Sequence, residues 1–115
     1  MKKVLWISRH TLVEEQLVDL EMICNDSVSI TQIQESISDI HTITGMVSEA
    51  DVIACVLPVH LLADLVELAD GKPILVEECI RSVIPQKDGE PKVIFRHGCW
   101  KMITKLEYEV CAPSI

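Results

Sequence analysis

The chain has 115 residues, of which 49% are hydrophobic, and this fits one domain, residues 1–115, with a core large enough to fold without disulfide bonds. The net charge of −8 argues against a general nucleic-acid-binding surface, which has to be broadly positive. Five cysteines without a CxxC pair, and a first apolar run too short for a signal peptide, indicate a cytoplasmic protein.

The first quarter of the chain predicts a strand followed by a helix. Residues 3–7 form a short apolar strand pattern, and Thr11 with Glu14 has the T-x-x-E form of a capping box. One face of the helix then repeats at helical spacing, through Val13, Leu17, Leu20 and Cys24. The sequence therefore predicts a strand, a loop at residues 8–10 and a capped helix.

The middle of the chain repeats this alternation twice. Residues 27–31 alternate as a modest strand, and a second helix begins at Ser38 and Asp39, with one apolar face formed by Ile40, Ile43, Val47 and Ala50. Residues 52–57 form a continuous apolar run, typical of a strand buried on both faces of a parallel sheet. Pro58 starts a third helix, whose predicted inward face is Leu61, Leu62, Leu65, Leu68 and Ala69. The apolar region of residues 52–69 is too interrupted for a membrane span.

The last third predicts two long strands, residues 74–84 and 92–110, joined by a turn at Asp88 and Gly89. Gly98 interrupts the second strand and predicts a bulge. The fold class is therefore α/β, with a mostly parallel sheet, covering helices and a C-terminal antiparallel hairpin.

The segment from Ser8 to Thr11 follows the first strand, where open α/β sheets bind ligands. The four glycines of the chain lie elsewhere, which excludes NAD, FAD and P-loop sites, and no cofactor is expected. A helix N-terminus, a phosphate-binding guanidinium at Arg9 and the imidazole of His10 still favour an anion. On its own, however, the segment is better explained as a helix cap and ordinary loop residues.

Two further segments carry candidate residues. His60 follows Pro58 at the start of the third helix, and "FRHGCWKM" places Arg96, His97 and Trp100 in the basic last third. His41 is expected to be a surface residue. No HExxH, CxxC or HxH spacing supports zinc, so no metal is expected. Cys99 and His97 have the residue types of a nucleophile pair, but the intervening Gly98 and the lack of an orienting partner in the sequence favour a buried structural cysteine.

Two blocks of the sequence resemble one known family. "SRHTLVEEQ", residues 8–16, resembles the segment after the first strand of small CRISPR-associated ring nucleases, which are minimal relatives of the CARF (CRISPR-associated Rossmann fold) proteins. "PILVEECIRSVIPQKDGEPKVIFRHGCWKMITKLEYE", residues 73–109, is similar to the closing hairpin of that family, with its phenylalanine–basic–histidine stretch and following aromatic. The chain departs from the family pattern at Arg9, which is inserted before His10, and at Val13, which replaces a polar residue.

The resemblance implies a three-layer, Rossmann-like, CARF-related domain that forms a homodimer and binds a cyclic oligoadenylate across the two-fold axis. It implies metal-independent cleavage, in which a ribose 2′-hydroxyl attacks the neighbouring phosphate, and hence a role in tuning type III CRISPR signalling. The expected catalytic residues are His10, His97 and Arg96. The expected ligand-binding residues are Ser8, Arg9, Thr11, Gln16, Pro58, His60 and Trp100.

Two other functions stay open on the sequence alone. One is a protein of the same fold that binds or sequesters a cyclic nucleotide without cutting it. The other is an acidic interaction or inhibitor protein from a phage or mobile element. The stretch from His10 to Gly71, which contains no lysine or arginine, favours this last alternative.

Overall fold

The computed structural model describes residues 1–84, 89 and 92–103, with the backbone alone for residues 79–84 and 92–97. It has an α/β fold in which helices cover both faces of one five-stranded sheet. The strands are β1 (Lys2–Ile7), β2 (Val28–Ile33), β3 (Val52–Cys55), β4 (Ile74–Ile84) and β5 (Lys92–Ile103). The helices are α1 (Glu14–Cys24), α2 (Thr44–Glu49) and α3 (Val59–Ala69), and a 3-10 turn, Ile40–Ile43, leads into α2. Among the described residues, none of these helices is long and apolar enough to cross a membrane.

The strand order is β2-β1-β3-β4-β5, parallel from β2 to β4, with β5 antiparallel at one edge. The predicted α/β class, the mostly parallel sheet and the antiparallel hairpin are confirmed. β3 is buried along its whole length, as a central strand between two helical layers must be. Asp88 of the predicted turn, and residues 104–110 of the predicted last strand, lie outside the described residues.

The hairpin continues well beyond the body of the sheet. Within β4, the residues that pair with β3 are Ile74, Leu75 and Val76, whereas β4 and β5 stay paired as far as Ile84 and Lys92. At about 3.3 Å per residue, residues 77–84 carry the two strands roughly 26 Å past the carboxyl edge of β3. The register between the two strands shifts where Cys99 pairs with Glu78 and His97 pairs with Cys79, so the bulge predicted at Gly98 is confirmed.

The segment before α2 differs from its prediction. The sequence predicts one helix from Ser38, whereas the chain forms a 3-10 turn first, because the Asp39 carboxylate accepts the backbone N–H of His41 at 3.0 Å. Ile40 and Ile43 share a face at the three-residue spacing of a 3-10 turn. The predicted apolar face is nevertheless confirmed, because Ile40, Ile43, Val47 and Ala50 are all buried.

The start of α1 also differs from its prediction. The helix begins at Glu14, and the backbone N–H of Val13 donates to the side chain of Gln16 at 2.8 Å, so the Thr11 capping box is wrong. Val13 still has an extended backbone, is 53% exposed and does not join the predicted inward face. Leu20 is fully buried, as predicted.

Two apolar clusters lie on opposite faces of the sheet. Successive side chains of β1 alternate between them, so Leu5 packs on the α3 face and Trp6 on the α1 face. The α3 face contains the predicted inward residues of that helix, of which Leu61, Leu62, Leu65 and Ala69 are buried and Leu68 is partly buried. On the α1 face, the rings of Trp6 and Trp100 meet edge to face at 5.5 Å between centroids.

Two cysteines have contrasting environments. Cys55 is buried in β3, and burial raises the pKa of its thiol to about 12. Cys99 is exposed in the edge strand β5, opposite the exposed Glu78, so the prediction of a buried structural cysteine is wrong.

Since the thiolate is the reactive form, iodoacetamide at about pH 8 is expected to modify Cys99 in the native protein and to leave Cys55 intact. Peptide mass mapping before and after unfolding in denaturant checks this. Equal labelling of both cysteines in the native protein would contradict the burial of β3.

Candidate functional site

A cavity of about 350 Å³ opens at the carboxyl edge of the sheet, between the ends of β1 and β3. The chain crosses from β1 to β2 on one side, whereas β3 lies on the other side, so the strand order reverses here. Ligands of open α/β sheets bind in the crevice at such a switch point. The described residues that line this cavity are Ile7, Ser8, Arg9, His10, Glu35, Ser36, Ile37, Val56, Leu57, Pro58 and Leu61.

The loop after β1 is fixed by hydrogen bonds rather than by glycines. The indole N–H of Trp6 donates to the carbonyl of His10 at 2.7 Å. The side-chain amide of Gln32 donates to the carbonyls of Ser8 and His10 at 3.0 and 2.9 Å. The backbone N–H of Ser8 continues the sheet by donating to the Ile33 carbonyl at 3.2 Å. These contacts hold Ser8, Arg9 and His10 at the mouth of the cavity.

Arg9 links this loop to the segment that follows β2. Its guanidinium donates to the hydroxyl of Ser36, and the side chain is otherwise exposed, so other N–H groups of the guanidinium are available to a ligand. The neighbouring Glu35 adds a carboxylate to the cavity wall. One cationic residue and one acidic residue therefore line the same cavity, together with Ser8 and His10.

The sequence interpretation missed Glu35, Ser36 and Ile37. It ended the second strand at Thr31, whereas β2 continues to Ile33. Because the carboxyl ends of parallel strands meet at one edge, extending that strand by two residues would have placed the segment after it beside the loop after β1.

Of the two candidates near the start of α3, Pro58 lines the cavity, whereas His60 is not among the described lining residues. Pro58 precedes the first turn of α3, and Leu61 is the residue of that turn that packs inward against the cavity. Successive helix residues point in different directions, so His60, one position earlier, lies exposed on another side of α3.

Three other predicted ligand-binding residues lie away from this cavity, on the α1 side of the sheet. Thr11 is exposed in the segment before α1, and Gln16 uses its side chain to cap that helix. Trp100 is 9% exposed, and its indole N–H donates to the Gln16 carbonyl at 3.2 Å. The indole of Trp100 is therefore core rather than cavity wall, because it packs on Trp6.

Arg96 and His97 lie on the projecting part of the hairpin. Their backbones pair with Ile80 and Cys79, past the carboxyl edge of β3, and their side chains lie outside the described residues. They are therefore at the same end of the sheet as His10 and on the other side of β3, separated from β1 by two strands.

A second cavity, of about 420 Å³, lies between α1 and the Gly98 bulge. The other described residues that line it are Glu14, Glu15, Val18 and Asp19. Three of these four residues carry carboxylates, a lining that does not attract an anion. The cavity at the β1–β3 switch point is therefore the better candidate for a phosphate-containing ligand.

A search for metal-ligand groups among the described residues and comparisons with known proteins gave no further candidate for the function. Within residues 1–84, 89 and 92–103, no three His, Cys, Asp or Glu side chains are grouped so that they could hold a metal ion. Comparisons of the chain with protein-family models, curated proteins and solved structures found no match. The function has to be argued from the chemistry of the site itself.

Proposed function

We propose that this protein binds a cyclic oligoadenylate at the carboxyl edge of its sheet and opens the ring, and that its domain is a three-layer, Rossmann-like relative of the CARF proteins. The observation that carries the proposal is the cavity at the β1–β3 switch point, in which Arg9, His10 and Ser8 meet apolar walls. The sequence resemblance to small ring nucleases supports the same function. In this proposal the protein is cytoplasmic and acts on type III CRISPR signalling.

The two kinds of lining residue suit the two parts of a nucleotide. The Arg9 guanidinium and the Ser8 hydroxyl offer donors to a phosphate. Ile7, Leu57 and Leu61 offer an apolar surface to an adenine ring. A glycine-rich loop is not required, because the proposed ligand approaches side chains rather than the backbone.

The proposed reaction needs one proton removed and one supplied. The ribose 2′-oxygen bonds to the adjacent phosphorus, and the bond from that phosphorus to the next 5′-oxygen breaks. The 2′-hydroxyl loses its proton, the 5′-oxygen gains one, and a linear product with a 2′,3′-cyclic phosphate results. His10 is proposed as the base or the acid, a role that contributes about 10²–10⁴-fold in rate. His97 is the second candidate for this role, and Arg96 is proposed to stabilise the charge on the phosphate.

A protein that binds the ring without cutting it is the second candidate function. Its supporting observation is that the exposed His10 ring has no hydrogen-bond partner among the described side chains, whereas catalytic histidines are commonly oriented by one. Both candidates share the cavity and differ only in turnover.

Incubation with a panel of cyclic oligonucleotides, from tri- to hexa-adenylate together with guanylate rings, tests the function. Mass analysis then identifies what is bound and what is cut. A linear adenylate with a cyclic phosphate supports the nuclease, and an intact bound ring supports the binder. If no ring binds, both candidates fail, and the acidic interaction protein becomes the best remaining function.

We also propose that two copies of the chain share one ligand. The cavity is at the lower end of the roughly 300–1,000 Å³ range of small-molecule sites, so one copy accommodates only part of a ring of several nucleotides. A ring that presents identical units fits a two-fold site in which each copy supplies the same groups. Light scattering at micromolar concentration is expected to give a dimer, at least with the ring present. A monomer under both conditions would remove the shared site.

A further inference from the structure

Glu35 is the one carboxylate among the described residues of the candidate site, and the proposed phosphate chemistry does not use it. A carboxylate repels phosphate, so a site for a simple anion would gain nothing from it. An ionised carboxylate accepts hydrogen bonds and donates none, which suits a hydroxyl group. A cavity that holds both Arg9 and Glu35 therefore fits a ligand that carries an anion and a hydrogen-bond donor together.

The place of Glu35 in the fold points to the same kind of group. It lies two residues past the end of β2, at the carboxyl edge beside the switch point. In doubly wound sheets that bind nucleotides, an acidic residue after the second strand reaches the ribose hydroxyls. The hydrogen bonds of Ser8 to the Ile33 carbonyl and of Arg9 to the Ser36 hydroxyl tie this segment to the loop after β1.

We infer that Glu35 accepts a hydrogen bond from a ribose 2′-hydroxyl and makes the site selective for ribonucleotide over deoxyribonucleotide rings. The inference rests on the proposed function, because it assumes that a cyclic adenylate occupies this cavity. In a ring with 3′–5′ linkages the 2′-hydroxyl is the free ribose hydroxyl, and it is also the nucleophile of the proposed cleavage. The same contact therefore orients the reacting oxygen toward its phosphorus.

Native mass spectrometry with cyclic tetra-adenylate and its 2′-deoxy counterpart tests the inference, since it scores only complexes with the uncut ring. The wild-type protein is expected to prefer the ribose ring by about tenfold or more, the size of one hydrogen bond to a charged group. Glu35→Ala is expected to bring that preference close to one. Its affinity for the deoxy ring should stay equal or rise, because a like charge has been removed.

Glu67→Ala is the matched control, because Glu67 is an exposed carboxylate on α3 that does not line the cavity. It removes the same charge and is expected to keep the ribose preference. Equal binding of both rings by the wild type, or an unchanged preference in Glu35→Ala, would overturn the role of Glu35 while leaving the proposed function intact. If the wild type binds neither these rings nor those of the other panel sizes, the proposed function fails and the inference falls with it.

Discussion

Replacing His10 with alanine is expected to slow ring opening by about 10²–10⁴-fold while changing the affinity for the uncut ring only a few-fold. The reason is that proton transfer occurs only in the transition state, whereas the ring is held by Arg9 and the apolar walls. The His10 carbonyl accepts the hydrogen bonds from Trp6 and Gln32, and its backbone N–H donates to the Ser8 hydroxyl, so removal of the imidazole leaves these bonds in place. Single-turnover cleavage and equilibrium binding of cyclic tetra-adenylate measure the two effects separately.

Arg9→Ala supplies the opposite pattern. It removes the proposed charged hydrogen bond to phosphate and the hydrogen bond to Ser36. The affinity for the cyclic adenylate is therefore expected to fall by about tenfold or more, with a smaller change in the rate at which the bound ring is cleaved. Equal losses of rate and affinity in both variants would show that the two residues do not divide these roles. That result would remove His10 as the acid or base.

His41→Ala is the control for removal of an imidazole. Its ring is exposed on the 3-10 turn, with Nδ1 2.9 Å from the Asp39 carboxylate. The backbone hydrogen bond from His41 lowers the pKa of that carboxyl, and this bond survives the substitution. Cleavage and binding are therefore expected to match the wild type. A loss of activity here would mean that the His10 result reflects general disruption.

Local patterns were enough to predict most of the sheet. The continuous apolar run of β3 required burial on both faces, because no polar position was left for solvent. Gly98 interrupts an otherwise regular strand pattern. It marked the bulge, which lies between the Glu78–Cys99 pair and the Cys79–His97 pair. Each of these features depends on residues that are adjacent in the sequence or in one hairpin.

The errors arose where distant residues decide the outcome. Thr11 and Glu14 match a capping box, but hydrogen bonds from Trp6 and Gln32 to the His10 carbonyl hold the preceding loop, and the helix starts later. Trp100 was expected to bind the ligand because the resemblance to ring nucleases places an aromatic residue at this position. Its contacts are made 84 positions away, with the carbonyl of Gln16, and no local pattern reports them.

The edge of the sheet at which several candidate residues meet could be predicted from a general rule of topology. Ser8, Arg9, His10 and Pro58 all follow strands whose carboxyl ends share one edge, and the cavity contains all of them. The rule gives the edge but not the direction of each side chain. It therefore included His60, which α3 turns away from the cavity.

Trp100→Ala is expected to destabilise the protein by about 3–5 kcal/mol, the usual cost of removing a large aromatic side chain from a core. The substitution deletes the edge-to-face contact with Trp6 and the hydrogen bond to the Gln16 carbonyl. These two contacts join α1, β1 and the base of the hairpin, so the loss falls on the α1 face of the sheet. Denaturant unfolding followed by circular dichroism measures the change in the free energy of unfolding.

Trp100→Phe separates this structural role from a role in ligand binding. Phenylalanine keeps an aromatic ring against Trp6 but cannot donate to Gln16, so a smaller loss than that of the alanine variant is expected. The Trp100 indole lies in the core on the α1 face, whereas the cavity is built from the other face. The affinity for the cyclic oligoadenylate should therefore stay close to that of the wild type. A phenylalanine variant with unchanged stability and lost affinity would place Trp100 in contact with the ligand and would move the site toward the hairpin.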